Sequence, residues 1–174
     1  MTDAAQSSDD LLFIQVGGTI DKDYPPGDAD HGYSFEICDP AYQSVLARVK
    51  FPVGWAEQSL MRLDSQDMED PERAKVRAAV EAASQTRIII THGTDTMPET
   101  AAALRGIENK TVVLTGALTP ARFRTTDAVF NIGMAVGAVQ TAAPGVYIAM
   151  SGQVFEAGQV RKNREANRFE STLN

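Results

Sequence analysis

Arg87-Ile88-Ile89-Ile90-Thr91, then His92-Gly93-Thr94-Asp95-Thr96, then the Ala-rich segment Met97 to Leu104 is the stretch whose reading decides the fold. The isoleucine run is apolar without alternation, as expected of a strand buried on both faces in a parallel sheet. A Gly-containing polar loop ends it, and the alanines beyond favour a helix. The same order recurs downstream, with a strand at Thr111 to Thr115, a loop from Gly116 to Arg124 and a helix from about Thr126 to Val139. A last strand, Gly145 to Met150, follows the Pro144-Gly145 break, and upstream Leu11 to Val16 is an apolar run stopped by Gly17-Gly18. Strands alternating with helices predict an α/β fold, a single doubly wound, mostly parallel sheet with helices on both faces. In such sheets ligands sit beyond the carboxyl ends of the strands. The loops that hold Thr19, Thr94 and Ala117 all fall at that edge.

The remaining segments speak less clearly. Pro40 to Val49 has the length of a short helix, Phe51 to Arg62 carries weak strand signals, and Asp64 to Asp67 is turn-like. Asp70-Pro71-Glu72 supplies a capping residue, a first-turn proline and an acid, ahead of Val76, Ala79, Val80 and Ala83 at helical spacing. Asp21 to Asp39 is longer than an ordinary connection, as binding loops and lids often are. The tail from Ser151 to Asn174, with Arg161, Lys162, Arg164 and Arg168, reads as a polar, solvated end.

At 174 residues the chain fits one α/β domain, since two would each have a meagre core. We therefore expect residues 1–174 to form one unit, with 1–10 as a disordered lead. Sixteen basic against twenty-three acidic side chains leave a net charge of −7, the wrong sign for tracking phosphates, so nucleic acid is not an expected partner. Cys38 is the single cysteine, which excludes an intrachain disulfide and fits a reducing cytoplasm. The polar, acidic start lacks the flank and apolar run of a signal peptide, and no stretch is apolar for ~18 residues, so no membrane association is expected. His31 and His92 are the only histidines, so no zinc spacing can be assembled and no metal is expected.

Two loops could carry chemistry. Gly17-Gly18-Thr19 sets a hydroxyl behind two glycines, where backbone N–H groups can face a ligand, yet the same triplet also serves as an ordinary turn with a capping threonine. It has neither the register of a dinucleotide fingerprint nor the Lys-Ser/Thr end of a phosphate loop. Thr91-His92-Gly93-Thr94-Asp95-Thr96 packs three hydroxyls, an imidazole and a carboxylate between a strand end and a helix start, and Thr94 or Asp95 could equally cap that helix. Amide hydrolysis needs a nucleophile, a base and oxyanion donors. A threonine can be the nucleophile only with help, for which Lys162 and the tyrosines are the candidates.

Taken together, Gly17-Gly18-Thr19-Ile20, Ser65-Gln66-Asp67, Thr91 to Met97 and Thr115-Gly116-Ala117 occur in the order and spacing of the bacterial-type L-asparaginases, which this chain resembles from Leu11 to about Phe169. The match is to the larger, N-terminal domain of the usual two-domain enzyme and implies a short, single-domain form. The resemblance implies that Thr19 is the leading nucleophile and that Thr94 forms a second group with Asp95 and Lys162, the lysine being placed through Val160-Arg161-Lys162-Asn163. It makes Ser65 and Gln66, with Asp95, the contacts for the substrate's α-carboxylate and α-amine. Ala117 meets the side-chain amide through its carbonyl, and the Thr94 N–H forms part of the oxyanion hole. Tyr33 is the expected loop tyrosine that activates Thr19, preferred to Tyr24 because Pro25-Pro26 stiffens the latter. The implied activity is deamidation of L-asparagine, without metal or cofactor. A broad glutaminase acting also on L-glutamine is the near alternative, and an idle amino-acid-binding domain the distant one. Where the second domain would close the pocket, a homo-oligomer is expected to restore closure.

Overall fold

The computed structural model describes residues 11–25 and 35–173. Six strands form the main sheet in the order β4-β1-β5-β6-β7-β8, comprising β4 (Trp55–Ser59), β1 (Leu11–Gln15), β5 (Arg87–Thr91), β6 (Thr111–Thr115), β7 (Gly145–Met150) and β8 (Gln153–Glu156). The first five run parallel and β8 returns antiparallel. β1 and β6 are buried at every residue and β5 at all but Arg87, so the continuous apolar runs have the cause inferred for them, contact with helices on both faces. On one face α2 (Asp70–Ala82) and α3 (Met97–Ala103) contribute Val76, Val80, Met97 and Ala101 to a cluster with Ile88, Ile90, Val112 and Leu114. On the other, α1 (Ala41–Arg48) and α4 (Ala128–Thr141) bring Tyr42, Leu46, Ile132 and Ala135 against Phe13, Ile89 and Val113.

Register positions the site. Gln15, Thr91 and Thr115 stand side by side at the ends of β1, β5 and β6, and Ser59 stands beside Gln15 on β4. Four loops are thereby launched from one level of the sheet edge, those of Thr19, Ser65, Thr94 and Ala117. No helix among the described residues is long and apolar enough to cross a membrane.

The structure departs from the sequence reading in several places. α2 is capped by Glu69 rather than Asp70, through a reciprocal box in which Glu69 and Glu72 each accept the other's backbone N–H. Asp70 is already inside the helix, where its charge favours the N-terminal dipole. The Asp21 to Asp39 segment is tied at its ends by a two-strand ladder, β2 (Lys22–Asp23) with β3 (Glu36–Ile37). The tail is not a solvated end. Ser151 and Gly152 take positive φ values of 52° and 87°, the tight-turn geometry that sends β8 back along β7. Beyond it β9 (Val160–Asn163) and β10 (Arg168–Ser171) form an antiparallel hairpin. Phe155, Val160 and Phe169 anchor these elements in the cluster that also holds α3.

Candidate active site

Thr19 opens a single turn of 3-10 helix, Thr19–Asp21, directly after β1. Gly18 before it has φ 96°, and a Cβ there would lie 2.3 Å from the Cα of Gly93. Only glycine lets the two loops touch main chain to main chain. Gly93 in turn lies against Ser65, whose Oγ would be 2.6 Å from an added Cβ. The loops of Thr19, Thr94 and Ser65 are thus stacked through two glycines.

The Thr94 loop is held from below by His92, which is wholly buried. Its Nδ1 lies 2.7 Å from the Gly93 carbonyl and its Nε2 2.9 Å from Thr100 Oγ1. A carbonyl only accepts, so Nδ1 carries the proton and Nε2 accepts from Thr100. Burial lowers the imidazole pKa to about 4, the Gly93 carbonyl opposing and the Arg73 charge adding, and the ring is neutral at ordinary pH. His92 is a strut, with both ring nitrogens taken by protein partners; among the described residues no group of three or more His, Cys, Asp and Glu side chains is placed to hold a metal. The capping alternative for Thr94 and Asp95 does not hold, since Thr96 occupies the cap position of α3 and no side chain caps it. The Thr96 hydroxyl instead donates to the Ser65 carbonyl at 2.6 Å.

Charged groups converge in front of Thr94. Lys162, on β9, brings its Nζ to 3.5 Å from Thr94 Oγ1 and donates to Asn167 Oδ1 at 2.9 Å. The Phe169 ring lies beneath the amine, 5.0 Å from its centroid. Burial pushes the Lys162 pKa down, while the Asp95 and Asp127 carboxylates resist. Asp95 Oδ2 accepts Gln66 Nε2 at 2.5 Å, joining the Ser65-Gln66 turn to this group. That turn begins at Asp64, which accepts the Gln66 N–H and the Lys22 ammonium, 3.1 Å away. Burial alone would raise the Asp64 carboxyl, but these partners hold it below its usual range. Ser65 Oγ is buried with no hydrogen-bond partner among the described residues.

Ala117 is buried in a loop pinned from α4's end of the fold. Asp127 accepts the Leu118 and Thr119 N–H groups, and Asn131 donates to the Gly116 carbonyl at 2.9 Å. The loop docks onto the Thr19 turn through Ala121 N–H to Ile20 O, 3.1 Å. Thr19, Ser65, Gln66, Thr94, Asp95 and Ala117 therefore lie on adjoining loops at one sheet edge, and Lys162 reaches Thr94 from β9 of the hairpin. Tyr33 lies outside the described residues. Tyr24 is within them, its ring against Phe35 and beneath the Arg122 guanidinium. Sequence reasoning missed the groups behind the site, namely Asn167, Phe169, Asp127, Asn131 and Asp21. No local signal marked them; Asn167 takes the positive φ of 49° that asparagine tolerates.

Comparison with known proteins adds an independent line. The family described as Asparaginase, N-terminal, matches residues 10–172. A probable periplasmic L-asparaginase of Haemophilus influenzae is 36% identical over 112 residues, covering 60% of this chain and 32% of that protein. An L-asparaginase of Thermococcus kodakarensis is 30% identical over 158 residues, covering 87% of this chain and 47% of that one. The solved structure of the thermostable L-asparaginase from Thermococcus kodakarensis superposes with a TM-score of 0.80 at 26% identity, over 93% of this chain and 51% of that one. The chain spans about a third to a half of the length of these relatives.

Proposed function

This chain belongs to the asparaginase family, matching its N-terminal domain, and on that premise we propose that it hydrolyses the side-chain amide of L-asparagine to aspartate and ammonia. The observation that carries this reading is the Lys162 amine, brought by a hairpin 68 residues further along the chain to 3.5 Å from Thr94 Oγ1. A part-buried lysine with a depressed pKa, facing a hydroxyl and steadied by a carboxylate, is suited to relay protons.

In this reading Thr19 Oγ attacks the amide carbon while its proton passes to a neighbouring base, for which Tyr33 is the candidate. The Thr94 N–H supports the oxyanion and the Ala117 carbonyl holds the amide NH2. Collapse of the tetrahedral intermediate expels ammonia, which carries off the proton, and leaves an acyl ester on Thr19. Water, deprotonated through Thr94 and Lys162, then cleaves that ester and restores the hydroxyl. The orphan Ser65 hydroxyl and the Gln66 amide, beside Asp95, suit the charged α-carboxylate and α-amine of an amino acid.

Ammonia release from L-asparagine and from L-glutamine by the purified protein tests the proposal, beside folded Thr19→Ala and Thr94→Ala. Both substitutions should lower kcat by several powers of ten. Binding of L-aspartate without any ammonia release would instead support an idle amino-acid-binding domain. Release from glutamine at a comparable rate would support the broad amidase, because one methylene discriminates by only ~1–3 kcal/mol.

A further inference from the structure

Asp21 is a buried carboxylate that the reaction above does not use. It is 3% exposed, two residues past Thr19 and in the same 3-10 turn. Its Oδ1 accepts the Ala41 N–H at 2.8 Å, and its Oδ2 accepts Gln15 Nε2 at 3.1 Å. Its main chain is fixed too, the N–H donating to Gly18 O at 3.2 Å and the carbonyl accepting the Cys38 N–H at 2.9 Å.

Each partner belongs to a different element. Ala41 is the first residue of α1, whose cap position is Pro40, a residue with no side-chain acceptor. Asp21 supplies the missing acceptor from twenty residues away, and so ties the start of that helix to the turn of Thr19. Gln15 ends β1 and is wholly buried. Its Oε1 accepts Ser59 Oγ at 2.6 Å, from the end of β4, which leaves Nε2 to donate to both Asp21 and the Cys38 carbonyl, the latter at 2.8 Å. The orientation of the amide is therefore dictated, and an acceptor is required at Oδ2.

We propose that Asp21 is the positioning residue for Thr19, its carboxylate clamping the hydroxyl-bearing turn to β1, β4 and α1 so that the hydroxyl is held at attack distance. The proposal rests on the role given to Thr19 above. Burial lifts the Asp21 pKa to about 6, against the Ala41 and Gln15 hydrogen bonds and the Arg62 charge, so a costly charge is retained where a neutral cap would have sufficed for α1 alone.

Asp21→Asn is the test because it preserves shape and one acceptor. Its Nδ2 would face Gln15 Nε2, donor against donor, and turning the glutamine would set Oε1 against the Cys38 carbonyl. One mismatch is unavoidable. With L-asparagine, kcat should fall roughly 10- to 100-fold, the scale of an ångström-level misplacement, while KM stays within about threefold because none of the hydrogen bonds of Asp21 goes to the Ser65, Thr94 or Ala117 loops. A kcat within about twofold of wild type overturns the proposal, as does a loss confined to KM. Should Asp21→Asn not fold, Ser59→Ala decides: it frees the Gln15 amide, and an unchanged kcat overturns the proposal while a several-fold drop at constant KM supports it. Amide hydrogen exchange separates this idea from the functional reading. If the wild type released no ammonia, faster exchange at Asp21, Cys38 and Ala41 in Asp21→Asn, with Thr94 to Thr96 unchanged, would still support the clamp, and unaltered exchange at those three would overturn it.

Discussion

The two threonine turns of this site are built in opposite ways. Behind Thr19 stands a charge, the buried Asp21, while the supports behind Thr94 are neutral, His92, Thr100 and the Ser65 carbonyl. In front of Thr94 the charges are Asp95, its neighbour in the same loop, and Lys162, which reaches the site from β9. A turn that must itself be held still can be clamped by a buried ion, whereas a turn that must exchange protons with its surroundings is better seated on groups that do not titrate near neutral pH.

The comparison can be broken most severely at Lys162. Lys162→Met removes the amine and keeps most of the stem over Phe169, and kcat for L-asparagine should fall by roughly 10²–10⁴ with the unfolding midpoint little changed. An active Lys162→Met enzyme would mean that the charge in front of Thr94 is ornamental.

Acid titration of stability sharpens the contrast between charged and neutral supports. Asp21 has a folded pKa of about 6 against 3.8 when free, so it removes stability as the pH rises from about 4 to 6. His92, at about 4 against 6.5, removes stability as the pH falls from about 6.5 to 4. Each amounts to about 3 kcal/mol by linkage, with opposite signs, and the pair should leave wild-type stability nearly level over this window. Asp21→Asn should unmask the histidine, so that urea unfolding shows stability falling by about 3 kcal/mol from pH 6.5 to pH 4. A level profile in that variant would contradict a neutral, buried His92.

Gly93→Ala probes the contact between the turns, since its Cβ would stand 2.7 Å from Ser65 Cβ and 3.0 Å from Ser65 N. Overpacking of this kind should cost about 2 kcal/mol in denaturant unfolding and raise KM through the displaced Ser65. The smallest effect is expected from Asn167→Ala, which leaves the Lys162 amine on Phe169 without its 2.9 Å acceptor. It should lower kcat by about tenfold or less, and the acid limb of the pH–rate profile should move to lower pH because the ammonium loses a stabilising partner.

The sheet was readable wherever a strand is buried on both sides. β5, β6 and β7 begin and end at the residues that their apolar runs predict, and α1 and α2 lie within the segments assigned to them. The hairpin at the end of the chain was not readable, because β9 and β10 fully bury one large side chain each, Val160 and Phe169, and leave the rest partly or wholly exposed. One buried residue per strand is too little to reveal a period of two. The loops that carry Thr19, Ser65, Gln66, Thr94, Asp95 and Ala117 were legible as a family pattern and as polar breaks after strands. The groups that hold them were not. Nothing local distinguishes Asp21 from a solvated loop acid; its burial is decided by Ala41 and Gln15, which only the folded chain brings to it.

The stacking of Gly18 on Gly93 and of Gly93 on Ser65 also decides which changes this protein could recover from. What a side chain at Gly18 would strike is main chain, the Cα and N of Gly93 and the carbonyl carbon of His92, so no second substitution can make room for it. What a side chain at Gly93 would strike first is the Oγ and Cβ of Ser65, and Ser65→Gly clears both. A selection for revertants should therefore return true reversion at the first position and partial suppressors at the second, two neighbouring glycines with different histories open to them.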